Sequence, residues 1–262
     1  ELNVAKMLHD LNLECEMEES QIVKKLSKVE KQASITLDEM QRKAVVEAVK
    51  NGVLVITGGP GTGKTTTINA IIRYFETEDM EILLAAPTGR AAKRMTEATG
   101  LEAKTLHRLL EAKPPEGYQK NEENPLEGDV LIVDECSMID IVLMNALMKA
   151  IPPHMRLILV GDIDQLPSVG AGNVLRDLMD SGVCKVVRLT KIFRQAQSSR
   201  IIMNAHRINE GLMPDLSNGK TTDFFFTEKE DPEEAVAEIV NLVQTKLSRY
   251  YQTPSSQIQV LT

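Results

Sequence analysis

The run Gly58-Gly59-Pro60-Gly61-Thr62-Gly63-Lys64-Thr65 constrains this chain more tightly than any other feature in it. It fits G-x-x-x-x-G-K-[ST] and lies between an apolar run, Val53–Thr57, and a helical pattern from Thr65 to Phe75, the context that motif requires. Its chemistry follows from backbone geometry. Glycines let successive N–H groups turn inward around phosphate oxygens, and the start of a helix adds a favourable dipole. Lys64 is placed to reach the β- and γ-phosphates of a nucleotide such as ATP, and the Thr65 hydroxyl to coordinate Mg²⁺. Gly58, Gly59, Pro60, Gly61, Thr62, Gly63, Lys64, Thr65 and Thr66 are the expected nucleotide-binding residues of this loop.

Further continuous apolar runs at 82–86, 130–133 and 157–160 read as strands covered on both faces, with helical segments near 89–98 and 138–150 between them. Such alternation predicts βαβ units around a mainly parallel sheet. Thr36 followed by Glu39 predicts a capping box at the head of the helix before the first strand. Upstream, Val4, Met7, Leu8 and Leu11, then Ile22, Val23, Leu26 and Val29, predict two amphipathic helices. Residues 113–129 are polar and turn-rich and predict an exposed loop or small hairpin. After the apolar stretch at 186–189 a helix is expected near 196–210. Asp223-Phe224-Phe225-Phe226 reads as a buried strand, Asp231 as the cap of a helix to about Leu247, and 257–262 as the start of another strand.

The strand at 130–133 ends in Asp134 and Glu135. Asp134 is read as a Mg²⁺ ligand and Glu135 as the base that polarises an attacking water. An acidic pair there also serves as a helix cap, a reading that the phosphate loop weakens. Gln165, after the next strand, falls on the sheet edge where ligands bind, either as a γ-phosphate contact or as a plain loop amide.

Composition sets limits. The apolar runs fall well short of the roughly 18 residues of a membrane span. Three scattered cysteines, Cys15, Cys136 and Cys184, without metal-ligand spacing, suit a reducing, cytoplasmic setting. A net charge of −8 argues against coating nucleic acid by bulk attraction. Local basic tracks survive within it: 85–110 holds five Lys/Arg against two acids, and 181–209 holds six against none. These are either phosphate contacts or solvated helix faces. With no Trp and only 3% aromatic residues, platforms for stacked bases are few.

Residues 58–65, Ala86-Pro87-Thr88-Gly89-Arg90-Ala91-Ala92, 105–110, Asp134-Glu135-Cys136-Ser137-Met138, 161–170 and 189–195 together resemble superfamily 1 helicases, specifically the RecD-like group that includes the exodeoxyribonuclease V alpha subunit. The resemblance runs from about 36 to 210 in the family's order. It implies an α/β fold, a RecA-like P-loop NTPase domain with a mainly parallel sheet flanked by helices and preceded by a short helical segment. It implies an ATP-dependent DNA helicase that uses ATP and Mg²⁺ to move 5′ to 3′ on single-stranded DNA in recombination and repair, with subunits of a nuclease complex as further partners and no membrane. An RNA helicase of the same superfamily and a P-loop ATPase acting on a protein are the alternatives.

Residue by residue, the resemblance implies that Gln41 reads the adenine edge and that Arg194 reaches the γ-phosphate beside Lys64, Glu135 and Gln165. Thr88, Arg90, Thr105 and His107 fall in segments that in this family touch single-stranded DNA, although His107 equally suits a capping or core position. The insertion at 113–129 stands where the family carries a strand-separating pin, or is an inert loop. The expected division is a helical tail of a truncated domain at 1–33, a motor domain at 34–252, and the start of a second RecA-like domain at 253–262. A piece cut at both ends in this way is expected to bind nucleotide, hydrolyse it slowly and not translocate.

Overall fold

Aliphatic and β-branched side chains dominate the strands Val53–Thr57 (β1), Ile82–Ala86 (β2), Val130–Val133 (β6) and Arg156–Gly161 (β7), while the edge strands Ala103–Thr105 (β3) and Lys185–Arg188 (β8) carry exposed charged residues. In the computed structural model, which describes residues 1–219 and 222–261 and only the backbone of Arg194, these six form one sheet in the order β3-β2-β6-β7-β1-β8. Every pairing in it is parallel. β7 separates β1 from β6, so the loops after β1, β6 and β7 open on one edge.

Both faces are covered. Val53, Val55, Leu131, Val133, Leu157 and Leu159 point into one core, with Val4, Leu8 and Leu11 of α1 (Leu2–Leu11) and Leu143, Met144 and Leu147 of α7 (Ile141–Ala150). Leu54, Ile56, Val130, Ile132, Ile158 and Val160 point into the other, with α2 (Glu19–Ala33), α3 (Glu39–Lys50) and α4 (Lys64–Glu76). Strand side chains alternate in direction, so burial on both sides demands the unbroken apolar runs seen in the sequence. The remaining α-helices up to residue 213 are α5 (Gly89–Thr99), whose Met95 joins the second core, α6 (Leu106–Leu109) and α8 (Val174–Ser181), which join the first, and α9 (Arg194–Gln197) and α10 (Arg200–Asn209).

The chain forms two compact units, Glu1–Met213 and Pro214–Thr262. The boundary expected at 33 therefore has no counterpart: α1 and α2 each supply buried residues to a core of the first unit. The second unit begins at Pro214, well before the expected limit at 252.

Other local expectations are corrected too. The capping box of α3 is formed by Asp38 and Gln41, not Thr36 and Glu39. The reason is tertiary: Leu37 is buried, and its N–H donates to Glu30 Oε1 at 3.0 Å, which keeps it outside the helix. The exposed loop or small hairpin expected at 113–129, by contrast, is met: Ala112–Lys113 (β4) pairs antiparallel with Gly117–Tyr118 (β5), and loop follows. The single helix expected at 196–210 is two, because Ser199 caps α10 by accepting from Ile202 N.

In the second unit Asp231 caps α11 (Pro232–Asn241), which continues through a π-helical turn, Leu242–Leu247. Asp223–Phe226 is not a strand. Among the described residues the segment enters no sheet, and Asn218 instead bonds both the N–H and the C=O of Phe226, at 2.9 and 2.8 Å, while Phe225 and Phe226 are exposed. No strand forms at 257–261 either, and Thr262 lies outside the described residues. Among the described residues no helix is long and apolar enough to cross a membrane.

Candidate nucleotide site and nucleic-acid edge

The phosphate loop leaves β1 and enters α4 at Lys64. Gly63 precedes the helix at φ +82°, and a Cβ there would come within 2.5 Å of Gln41 Nε2 and 2.9 Å of the Phe193 ring, so only glycine fits. Lys64 Nζ donates to the carbonyls of Gly58 (2.5 Å) and Gly59 (3.2 Å), which sets its ammonium inside the curve of the loop. Thr62 is buried and donates to Gly59 O at 2.8 Å. Thr65 and Thr66 are exposed on the first turn of α4.

Gln41 is almost wholly buried, and its carboxamide is engaged at both ends. Oε1 accepts from Asp38 N at 3.0 Å, and Nε2 donates to Gly63 O at 3.3 Å. The structure thus makes Gln41 part of a helix cap and a support of the phosphate loop.

At the end of β6, Asp134 and Glu135 face the loop. The Asp134 N–H donates to Ala85 O at 3.0 Å, and its Oδ1 accepts from Glu135 N at 2.8 Å. Burial pushes the Asp134 carboxyl above the usual range, opposed by that N–H and by the Lys64 charge. Burial and the neighbouring Asp134 likewise raise Glu135, while Lys64 and Arg94 pull it back. Glu135 holds a left-handed backbone, φ +56°, a conformation uncommon for a residue with a side chain and concentrated at functional positions. Its Oε2 is buried without a hydrogen-bond partner among the described residues, so an acceptor is left over for a water or a substrate proton.

Lys64, Thr65, Asp134 and Glu135 line one cavity of about 200 Å³ with Ala91, Arg94 and Met95 of α5. Gln165 is exposed on the loop after β7, at the same sheet edge. Arg194 opens α9, and its side chain lies outside the described residues.

The expected DNA contacts gather at the neighbouring strand ends, where Ala86 of β2 pairs with Thr105 of β3. Thr88 caps α5 through Ala91 N, and Thr105 caps α6 through Arg108 N, each at 3.2 Å. Arg90 is exposed. His107 is exposed as well, which removes the core alternative, and its ring lies 6.0 Å from that of Tyr118 on the hairpin. Sequence reasoning missed Tyr118 and Arg94. Arg94 was within reach of it, since it follows Arg90 by one helical turn.

A parallel sheet with a phosphate loop after β1 and two acids ending the strand two places away defines a P-loop nucleoside-triphosphatase core. Residues 41–171 match the family described as an AAA domain. The chain belongs to that family, in its RecD-like helicase group. It is 43% identical over 186 residues to the ATP-dependent RecD2 DNA helicase of Deinococcus radiodurans, a match that covers 71% of this chain and 26% of that protein. It is 46% identical over 164 residues to the RecBCD enzyme subunit RecD of Mycobacterium tuberculosis, covering 53% of this chain and 28% of that one. The matches thus span about a quarter of the length of these relatives. The crystal structure of the Pif1 helicase from Candida albicans superposes with a TM-score of 0.51 over 71% of this chain and 50% of that one, at 23% identity, and shares the fold.

Proposed function

We propose that this chain is the first motor domain of an ATP-dependent DNA helicase that moves 5′ to 3′ on single-stranded DNA in recombination and repair. One observation carries the reading. The cavity holding Lys64, Thr65, Asp134 and Glu135 has α5 as its far wall, and the N-terminal turn of α5 carries Thr88 and Arg90. In this reading nucleotide chemistry and nucleic-acid contacts share one helix. The name of one relative, an ATP-dependent RecD2 DNA helicase, supports the same reading.

In this reading Thr65 and Asp134 would hold Mg²⁺. A hydroxyl and a carboxylate are hard oxygen donors, and such sites are completed by water and substrate phosphates. Bound there, Mg²⁺ supplies neutralisation of charge on the phosphoryl oxygens. Lys64 binds the β- and γ-phosphates, and the free Oε2 of Glu135 accepts a proton from water. Gln165 and Arg194 report loss of the γ-phosphate, and subunits of a repair nuclease complex are further partners.

The test is ATP hydrolysis by the full-length protein with and without single-stranded DNA, with matched RNA, and with Lys64→Ala. Stimulation by DNA that the mutation abolishes is the expected result. Equal stimulation by RNA would reassign the substrate. Mutation-sensitive hydrolysis indifferent to both nucleic acids would replace the helicase with an ATPase directed at protein.

A further inference from the structure

The outer surface of the phosphate loop is held by groups far from it in sequence. His206 Nε2 lies 3.0 Å from Pro60 O, Phe193 N donates to Gly61 O at 3.2 Å, and Gln41 holds Gly63 O. A carbonyl can only accept, so His206 carries its proton on Nε2. The imidazole also lies over Gly59: a Cβ at that position would come within 2.7 Å of His206 Cε1. One turn earlier on α10, Ile202 Cγ2 lies within 3.4 Å of where a Cβ on Gly61 would sit. Thus α10 is laid along the loop, with a histidine donor at its centre.

The consequence follows from peptide planarity. In a trans peptide the N–H points opposite to the C=O of the same unit. Drawing Pro60 O toward α10 turns Gly61 N–H the other way, and the bond from Phe193 to Gly61 O does the same for Thr62 N–H. Inward-turned N–H groups are what a phosphate-binding loop requires.

We propose that His206 is a positioning residue of the nucleoside-triphosphate site, whose Nε2–H anchors the Pro60 carbonyl and so aims Gly61 N–H at the phosphates. The proposal rests on the phosphate-site reading above. It also joins the loop to the segment that carries Arg194, since α9 and α10 are separated only by Ser198 and Ser199.

The experiment uses the full-length protein with His206→Phe, which keeps a ring over Gly59 without a donor, and His206→Gln, which restores an amide N–H near the position of Nε2. Lys64→Ala runs alongside. His206→Phe is expected to raise the KM for ATP and the Kd for ADP about fivefold, the order of one net hydrogen bond. Its melting temperature falls by no more than about 2–4 °C, the share of one such bond, its Kd for single-stranded DNA stays unchanged, and His206→Gln returns both KM and melting temperature toward those of the parent. A purely structural role would lower the melting temperature in both variants. Unchanged KM and Kd in His206→Phe, with Lys64→Ala inactive, overturns the proposal and leaves the phosphate site standing. An equal rise in both variants also overturns it, because the ring and not the bond would then matter. Full activity in Lys64→Ala would overturn the phosphate-site reading itself.

Discussion

Gln41→Ala isolates a double duty that the structure assigns to one side chain. The carboxamide is 1% exposed, accepts from Asp38 N at 3.0 Å and donates to Gly63 O at 3.3 Å. Removing it leaves Asp38 N–H without its capping acceptor, worth about 1 kcal/mol or somewhat more. Gly63 O keeps the hydroxyl and N–H of Thr67, at 2.9 and 3.0 Å, so it loses only one of several donors. That second loss is about 0.5–1 kcal/mol. The sum is about 2 kcal/mol, and at about 2–4 °C per kcal/mol for a unit of this size the melting temperature should fall by about 4–8 °C. Calorimetry checks that figure, and a nucleotide comparison checks the chemistry. A carboxamide already engaged in cap and loop predicts that KM rises for ATP and GTP by the same factor. A melting temperature unmoved by the substitution, together with a penalty confined to ATP, would refute this reasoning and favour adenine recognition.

Other consequences are equally direct. The Tyr74 hydroxyl is buried without a partner among the described residues, and burial, with Glu78 nearby, pushes its pKa up to about 12. The unfolded chain therefore loses this proton first, near pH 10, and stability falls as pH rises from about 10 to 12. Tyr74→Phe should be neutral or stabilising at pH 7 and should flatten that decline in denaturant titrations. Glu30 is buried, accepts from Leu37 N and pairs with Arg42 Nη2 at 3.0 Å. Glu30→Ala should destabilise by about 2 kcal/mol, and Arg42→Ala by less because Arg42 is solvent-exposed, as urea midpoints will show. Burial holds the Cys136 thiol well above its ordinary pKa and raises Cys184, so iodoacetamide should label the partly exposed Cys15 first in the native protein.

The phosphate loop, the strands β1, β2, β6 and β7, and the paired acids after β6 were legible in the residues alone. Each is set by local backbone chemistry or by an apolar period. Glycines between a strand and a helix can form few other loops, and a run buried on both faces has no polar position to blur it. Long-range packing selected between local options of similar merit. Thr36 with Glu39 and Asp38 with Gln41 both have capping-box spacing, and the bond from Leu37 N to Glu30 selected the second pair. Phe224, Phe225 and Phe226 have strand composition, but a strand needs a neighbour, and Asn218 met the backbone of Phe226 instead. The seat of His206 on Pro60 lies 146 residues away along the chain. No local pattern encodes it, because a hydrogen bond of that span exists only once the sheet has brought α10 over the loop.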